Sequence, residues 1–419
     1  TSPLTRSHTP AFENVIPIIE DPRTRRLKTG PNSDLYFPDA MQCSHLCVFG
    51  NTGAGKTQNV INGILCDHIA NRNVTVVAIV AKLETTELAR TVVENYRPED
   101  ELIVLNFGNR HRSTYAFQPV VNSQTKHDPG LILASVTDLI NASQDNARLR
   151  DFFWTTSAAR MITGCILRGI ERFGDFNLAD VHHVLELPMP KLIEFLETGP
   201  QLEFANASAH TIKNDGHNAN TTLAFAQSYL RLFADEHVAA VTKDDGLSIA
   251  DLLEDPSVLI VEVPMHDQKR CRPLVNCLIA NLFSVATETA LKSPGQRLKH
   301  PLRILIDDCP LTTGPIPTFA EYLSLIRSFD IGVVAAMHSK ASLEHFFGTE
   351  AGLVLSGFNN QIFLSPIEDY DAKHASSKSG SMTAELPESE RSSAANSLVH
   401  RQLLTPDDIS SPFSDPELG

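Results

Sequence analysis

Residues 45–69 read HLCVFGNTGAGKTQNVINGILCDHI. An apolar run, His45–Phe49, leads into the octet Gly50-Asn51-Thr52-Gly53-Ala54-Gly55-Lys56-Thr57. Apolar residues at helical spacing follow: Val60, Ile61, Ile64, Leu65 and Ile69. The octet fits G-x-x-x-x-G-K-[ST] with no mismatch, between a strand and a helix as that pattern requires. Glycines let successive backbone N–H groups curl around a phosphate, and the helix N-terminus adds its positive dipole end. Lys56 is expected to reach the β- and γ-phosphates, and the Thr57 hydroxyl to ligate Mg²⁺. ATP and Mg²⁺ are the cofactors this stretch calls for, with Gly50 through Thr57 as the binding loop.

Six further short apolar runs read as strands buried on both faces: Thr75–Val80, Leu102–Phe107, Val258–Val263, Leu302–Ile306, Gly332–Met337 and Gln361–Leu364. Helical patterns separate most of them, which predicts an α/β fold on a mainly parallel sheet. From about 128 to 242 the pattern is mostly helical, with no strand-like run dividing it. FFWTTSAARMITGCILRGIERF and HVLELPMPKLIEFLE are two such segments. NTTLAFAQSYLRLFADEHVAAV is a third, with Asn220 or Thr221 as its expected cap. The expected organisation is an N-terminal segment (1–44), the first part of a nucleotide-binding domain (45–127), an all-α insertion (128–242), and the second part of the domain (243–419). Serines and acids crowd residues 365–419, which read as partly flexible and solvent-facing.

Composition narrows the class. The chain has 419 residues, 42% of them hydrophobic and 20% charged, which is a globular balance with room for a sizeable core. A formal net charge of −15 argues against a surface that wraps nucleic acid throughout. Local basic clusters exist at Arg23, Arg25, Arg26 and Lys28, at Lys269, Arg270 and Arg272, and at Lys292, Arg297, Lys299 and Arg303. Each reads equally well as scattered solvated charge. No run of 18 apolar residues suggests a membrane span, and TSPLTRSHTP is not a signal peptide. The first residue is not Met, so a processed or truncated chain is expected. Seven cysteines without a CxxC pair fit a reduced, cytoplasmic protein, and the histidines show no zinc spacing.

A nucleotide loop of this kind needs a partner strand ending in acids. Residues 303–310, RILIDDCP, supply one. Asp307 is placed at the Mg²⁺ shell and Asp308 is the candidate for orienting the attacking water. The alternative is a strand end with two solvated carboxylates.

After the acids comes CPLTTGPIPTFAEYLSLIRSFDIGVVAAMHSKASLEHFFG. This stretch resembles the TraG/TraD-like coupling ATPases of type IV secretion and conjugation systems. VAKLE (Ala81, Lys82, Glu84), YAFQPV, FFWTTSAARMI, LRLFADEHVAAVT and RQLLTPDDI resemble further segments of that family, in order, from His45 to Ile409. The resemblance implies a RecA-like P-loop core with an inserted all-α domain, working as a homo-hexamer at the cytoplasmic face of the bacterial inner membrane. It implies protein or relaxase–DNA substrates, adaptor proteins and secretion-channel components as partners, with DNA itself left open. Membrane association would come through segments absent from this chain. Three departures stand out: Asp308 where the family has Glu, His338 where it has Gln, and no leading acid in VAKLE. Asp308 is a methylene short, so slow and regulated hydrolysis is expected, with His338 as a γ-phosphate sensor. Arg327 is the candidate for stabilising transferring phosphoryl charge, acting from a neighbouring subunit. The insertion is expected to recognise substrate or adaptor. A DNA translocase of the FtsK/HerA kind and a nucleotide-gated docking module with little hydrolysis are the competing readings.

Overall fold

The computed structural model describes residues 20–21, 26–27, 44–121, 125–143, 152–200, 202–214, 216–243, 246–364, 366–385 and 398–410. Seven strands form one parallel sheet: β1 (Leu46–Phe49), β2 (Thr75–Val80), β3 (Leu102–Leu105), β4 (Val258–Glu262), β5 (Leu302–Cys309), β6 (Ile331–Met337) and β7 (Asn360–Phe363). The spatial order is β3-β4-β2-β5-β6-β1-β7. All seven are the runs expected from sequence; β2 matches at both ends, and the others differ by at most three residues at an end.

Side chains on successive strand residues point to opposite faces. Val76, Ala78 and Val80 therefore enter one apolar cluster and Val77 and Ile79 the other. The first face is covered by the helix that follows the loop, a π-helical start at Lys56–Ile61 running into α1 (Asn62–Ala70), and by α2 (Leu83–Tyr96). The second is covered by α11 (Gln268–Lys292) and the helices inserted between β3 and β4. α11 is long and apolar enough to cross a membrane by length and composition, but 61% of its most apolar window is buried inside this fold. It is the central helix of a core.

No strand interrupts the described residues between β3 and β4. The helices are α3 (Pro129–Ala142), α4 (Phe152–Phe173), α5 (Leu178–Leu185), α6 (Met189–Glu197), α7 (Glu203–Asn214), α8 (Gly216–Leu230), α9 (Glu236–Val241) and α10 (Ile249–Glu254). Two local expectations are corrected. HVLELPMPKLIEFLE is two helices, because Pro188 has no N–H to continue α5 and instead stands before α6. Asn220 and Thr221 lie inside α8, which starts at Gly216; the capping side chain in that stretch is Asp235, which accepts from His237 and Val238 N–H at the head of α9.

Towards the C-terminus, α12 (Asp369–Ser379) is followed by an antiparallel pair, Ser381–Glu385 with Leu398–Gln402. The flexibility expected for 365–419 falls partly on 386–397 and 411–419, outside the described residues, as does most of 1–44. Six cysteines are buried and unpaired; Cys43 is outside the described residues.

Candidate nucleotide site

A parallel α/β sheet presents its ligands at the carboxyl ends of its strands. Here Phe49 lies opposite Met337, Met337 opposite Cys309, and Ile306 opposite Ile79. The residues that follow these strand ends therefore meet at one edge: the loop after β1, the acids of β5, His338 after β6 and the turn after β2.

The loop has the shape its glycines predict. Gly53 and Gly55 sit at φ 86° and 82°, the left-handed region that side chains avoid. A Cβ on Gly55 would lie 2.4 Å from Asn59 Nδ2, and one on Gly50 would lie 3.0 Å from Leu364 O. The loop is tied down by Ala54 N–H to Asn51 O (3.1 Å) and Asn51 N–H to Pro366 O (3.3 Å).

Lys56 is buried, 5% exposed, yet its ammonium forms no ion pair among the described residues. It donates to Gly50 O (2.6 Å) and Asn51 O (3.3 Å) and lies 3.5 Å from His338 Nδ1. Burial lowers its pKa, and the charges of Asp308 and Asp307 oppose that. The Thr57 hydroxyl donates to Asp307, at 2.9 Å to Oδ2 and 3.1 Å to Oδ1. Loop hydroxyl and strand carboxylate, 250 residues apart, thus share one point, as a Mg²⁺ shell needs.

The two acids differ. Asp307 is 1% exposed, and burial, then the Asp308 charge, push its carboxyl up to about 6 against the Thr57 and Asp308 N–H hydrogen bonds. Asp308 is half-buried at φ 52°, inside a register shift between Ile306 and Cys309. Burial pushes it up too. The His338 hydrogen bond, with the charges of His338, Lys56 and Lys82, outweighs burial and holds it below the ordinary carboxylate value. His338 Nε2 stands 3.2 Å from Asp308 Oδ1. One imidazole thus links the loop lysine to the second acid. With Lys56 donating to Nδ1, Nε2 carries the proton and donates to Asp308.

Arg327 does not join this cluster within the chain. It is exposed in the 3₁₀ turn Ile326–Phe329, at the start of β6, whereas His338 follows its end. The seven residues of β6 put roughly 23 Å between them at the usual rise per residue. Lys82, quoted above only for its resemblance, does stand at the site: its charge acts on Lys56, Asp307 and Asp308. A neighbouring pair, a buried acid and a half-buried arginine, gave no sequence signal. Glu262, ending β4, accepts from Arg112 at 2.6 Å through both oxygens and from Asn106 at 2.9 Å. Its partners lie about 150 positions away in the chain.

Sheet, glycine loop, buried lysine and paired acids define a RecA-like P-loop nucleotide-binding core. A sequence profile described as type IV secretory system conjugative DNA transfer matches residues 15–415, and the chain belongs to that family. The solved conjugative coupling protein TrwBΔN70, in an unbound form, is similar with a TM-score of 0.69 at 18% identity, over 94% of this chain and 87% of that one. TrwB in complex with ADP and Mg²⁺ gives 0.66 at 17%, over 94% and 88%. VirB4 of Thermoanaerobacter pseudethanolicus gives 0.52 at 12%, over 88% and 89%. At such identities the likeness establishes the fold. No curated protein matches the chain in sequence.

Proposed function

We propose that the chain is the ATP-binding motor of a conjugative coupling protein, recruiting protein or nucleoprotein substrates and delivering them to a type IV secretion channel. The observation that carries the reading is the Thr57–Asp307 hydrogen bond, which joins the loop hydroxyl to the acid strand. The residues present fit ATP and Mg²⁺. A left-handed glycine cradle would be filled by any Cβ at Gly55, and a lysine and a hydroxyl follow it. TrwB has been solved with ADP and Mg²⁺ and with non-hydrolysable analogues, which supports the same ligands here.

Loop N–H groups and Lys56 would hold the phosphates, and Thr57 and Asp307 the Mg²⁺. Bound Mg²⁺–ATP supplies the phosphoryl group and part of its own charge neutralisation. Asp308, kept ionised by His338 and the lysines, orients a water and takes its proton. His338 engages Oδ1, which leaves Oδ2 for that task. Arg327, exposed and remote from its own loop, is left to act on a neighbouring subunit of a homo-hexamer. The helical segment 128–242 is the part proposed to meet substrate or adaptor, since it carries none of the site residues. Anchorage at the inner membrane, channel components and DNA follow from the family and belong to the same proposal.

The test is turnover and ATP affinity of the assembled oligomer, measured together. Asp308→Asn should lose turnover by at least about a hundredfold, the usual worth of a general base, while ATP still binds. Arg327→Ala should lower only the turnover that depends on assembly. Parental turnover in Asp308→Asn would reduce Asp308 to a strand-end acid.

A further inference from the structure

So far Lys82 acts only through its charge on the acids, and three observations give it a further role. The first is register. β2 pairs with β5 with Ile79 opposite Ile306. The pairing ends there, and Lys82 and Asp308 follow within three residues of those two adjoining strand ends. The second is the bracing of its turn. Val263 N–H donates to Val80 O at 2.8 Å, and Thr85 N–H donates to Lys82 O at 3.2 Å. The Thr85 hydroxyl donates to Asn62 Oδ1 at 3.3 Å, which ties the turn to the helix that follows the phosphate loop. The third is that the Lys82 side chain is exposed and makes no ion pair or hydrogen bond among the described residues. Lys56, by contrast, is already committed to two loop carbonyls.

We infer that Lys82 is the group that reads the terminal phosphate, making the site bind a nucleoside triphosphate more tightly than a diphosphate. The inference rests on the nucleotide-site reading above. A third phosphate brings further negative charge to the acid-lined end of the loop, where Asp307 and Asp308 already stand. A second cation beyond the acids offsets that charge, and a braced turn lets it do so without reordering the backbone. An ammonium is suited to this, because its three donors rotate about a single point.

The experiment is equilibrium binding of ADP–Mg²⁺ and of a non-hydrolysable ATP analogue to the full chain and to Lys82→Ala. The substitution is at the surface, and retained ADP binding reports that the variant is folded. Affinity for the analogue is expected to fall about tenfold, as for one lost charge-assisted contact, with ADP affinity within about twofold. Lys82→Arg should keep most of the preference. Acetylation of Lys82, followed by mass spectrometry, should be slowed by the analogue and not by ADP. Parental affinity of Lys82→Ala for the analogue would overturn the inference, as would an equal loss for both ligands. If the unsubstituted chain binds neither nucleotide, the site reading itself fails.

Discussion

Asp308 holds its carboxylate on a backbone with φ 52°, within the irregular stretch where β5 leaves its pairing with β6. Bulges re-aim side chains beside active sites, and Asp is among the few residues that tolerate the left-handed region. Length alone argues that Asp308→Glu should hold or raise the rate, since the family uses Glu. The geometry argues otherwise. A further methylene adds about 1.5 Å, enough to break the 3.2 Å contact with His338 Nε2. Asp308→Glu is therefore expected to slow turnover by about tenfold to a hundredfold. Turnover at or above the parental rate would restore the argument from length.

His45 tests burial at the other end of the same strands. Its ring is 1% exposed, with Nε2 3.0 Å from Leu323 O and Nδ1 accepting from Val333 N–H at 3.1 Å. Burial chiefly lowers its pKa from 6.5 to about 4, against the Leu323 hydrogen bond. Between those values the unfolded chain binds a proton that the folded chain refuses. The stabilisation is complete above about 6.5 and drains as the pH falls to about 4. His45→Asn, a residue suited to φ 49°, removes this term. The stability gap between parent and variant should shrink on acidification by up to about 3 kcal/mol. A constant gap in urea titrations at pH 7 and pH 4.5 would contradict the assignment.

Among elements, α4 depends on small residues. A Cβ on Gly164 would meet Phe204 O at 2.8 Å and Ala205 Cα at 3.1 Å, both backbone atoms of α7. Gly164→Ala gains about 1 kcal/mol of helix propensity. It forces two helices apart, at about 1–3 kcal/mol for overpacking a tight core. Backbone cannot swing aside as a side chain would, so the packing term should win. Chemical denaturation is expected to show a net loss, and a stabilised variant would mean that α7 shifts freely.

The same scale shows what the sequence carried. α4 was legible over its whole length, because an unbroken apolar period runs from Phe152 to Phe173. The seven strands were legible as apolar runs too long for turns and too short for helices. The start of α8 at Gly216 was not, since residues of cap type crowd that stretch (Asn214, Asp215, Asn218, Asn220, Thr221) and local sequence does not choose among them. Nor was the extension of β5 to Cys309 legible, because local sequence does not mark a bulge. The placement of Gly50–Thr57 after β1 and of Asp307 and Asp308 at the end of β5 was legible, because a glycine-rich octet after one apolar run and paired acids at the end of another mark strand ends. The His338 link between Lys56 and Asp308, the place of Lys82 and the Glu262–Arg112 pair depend on strand order, which a single sequence does not state.

For the whole molecule, that order explains why these residues meet. The chain leaves β1, crosses over β6 and β5 to build β2, and returns later to fill the gap with the acid strand. Helices α3 to α10 lie between β3 and β4, remote in sequence from the loop and the acids, yet their apolar faces join the same core as one face of the sheet. The central claim is narrower: the edge formed by β1, β5 and β6 is an ATP–Mg²⁺ site. The most direct measurement is equilibrium binding of ATP to the full chain and to Lys56→Ala, with and without Mg²⁺. The parent should bind with Mg²⁺-dependent affinity, and Lys56→Ala, with an unchanged circular dichroism spectrum, should lose at least about tenfold, the worth of one charged contact. Equal affinity in parent and variant would contradict the account.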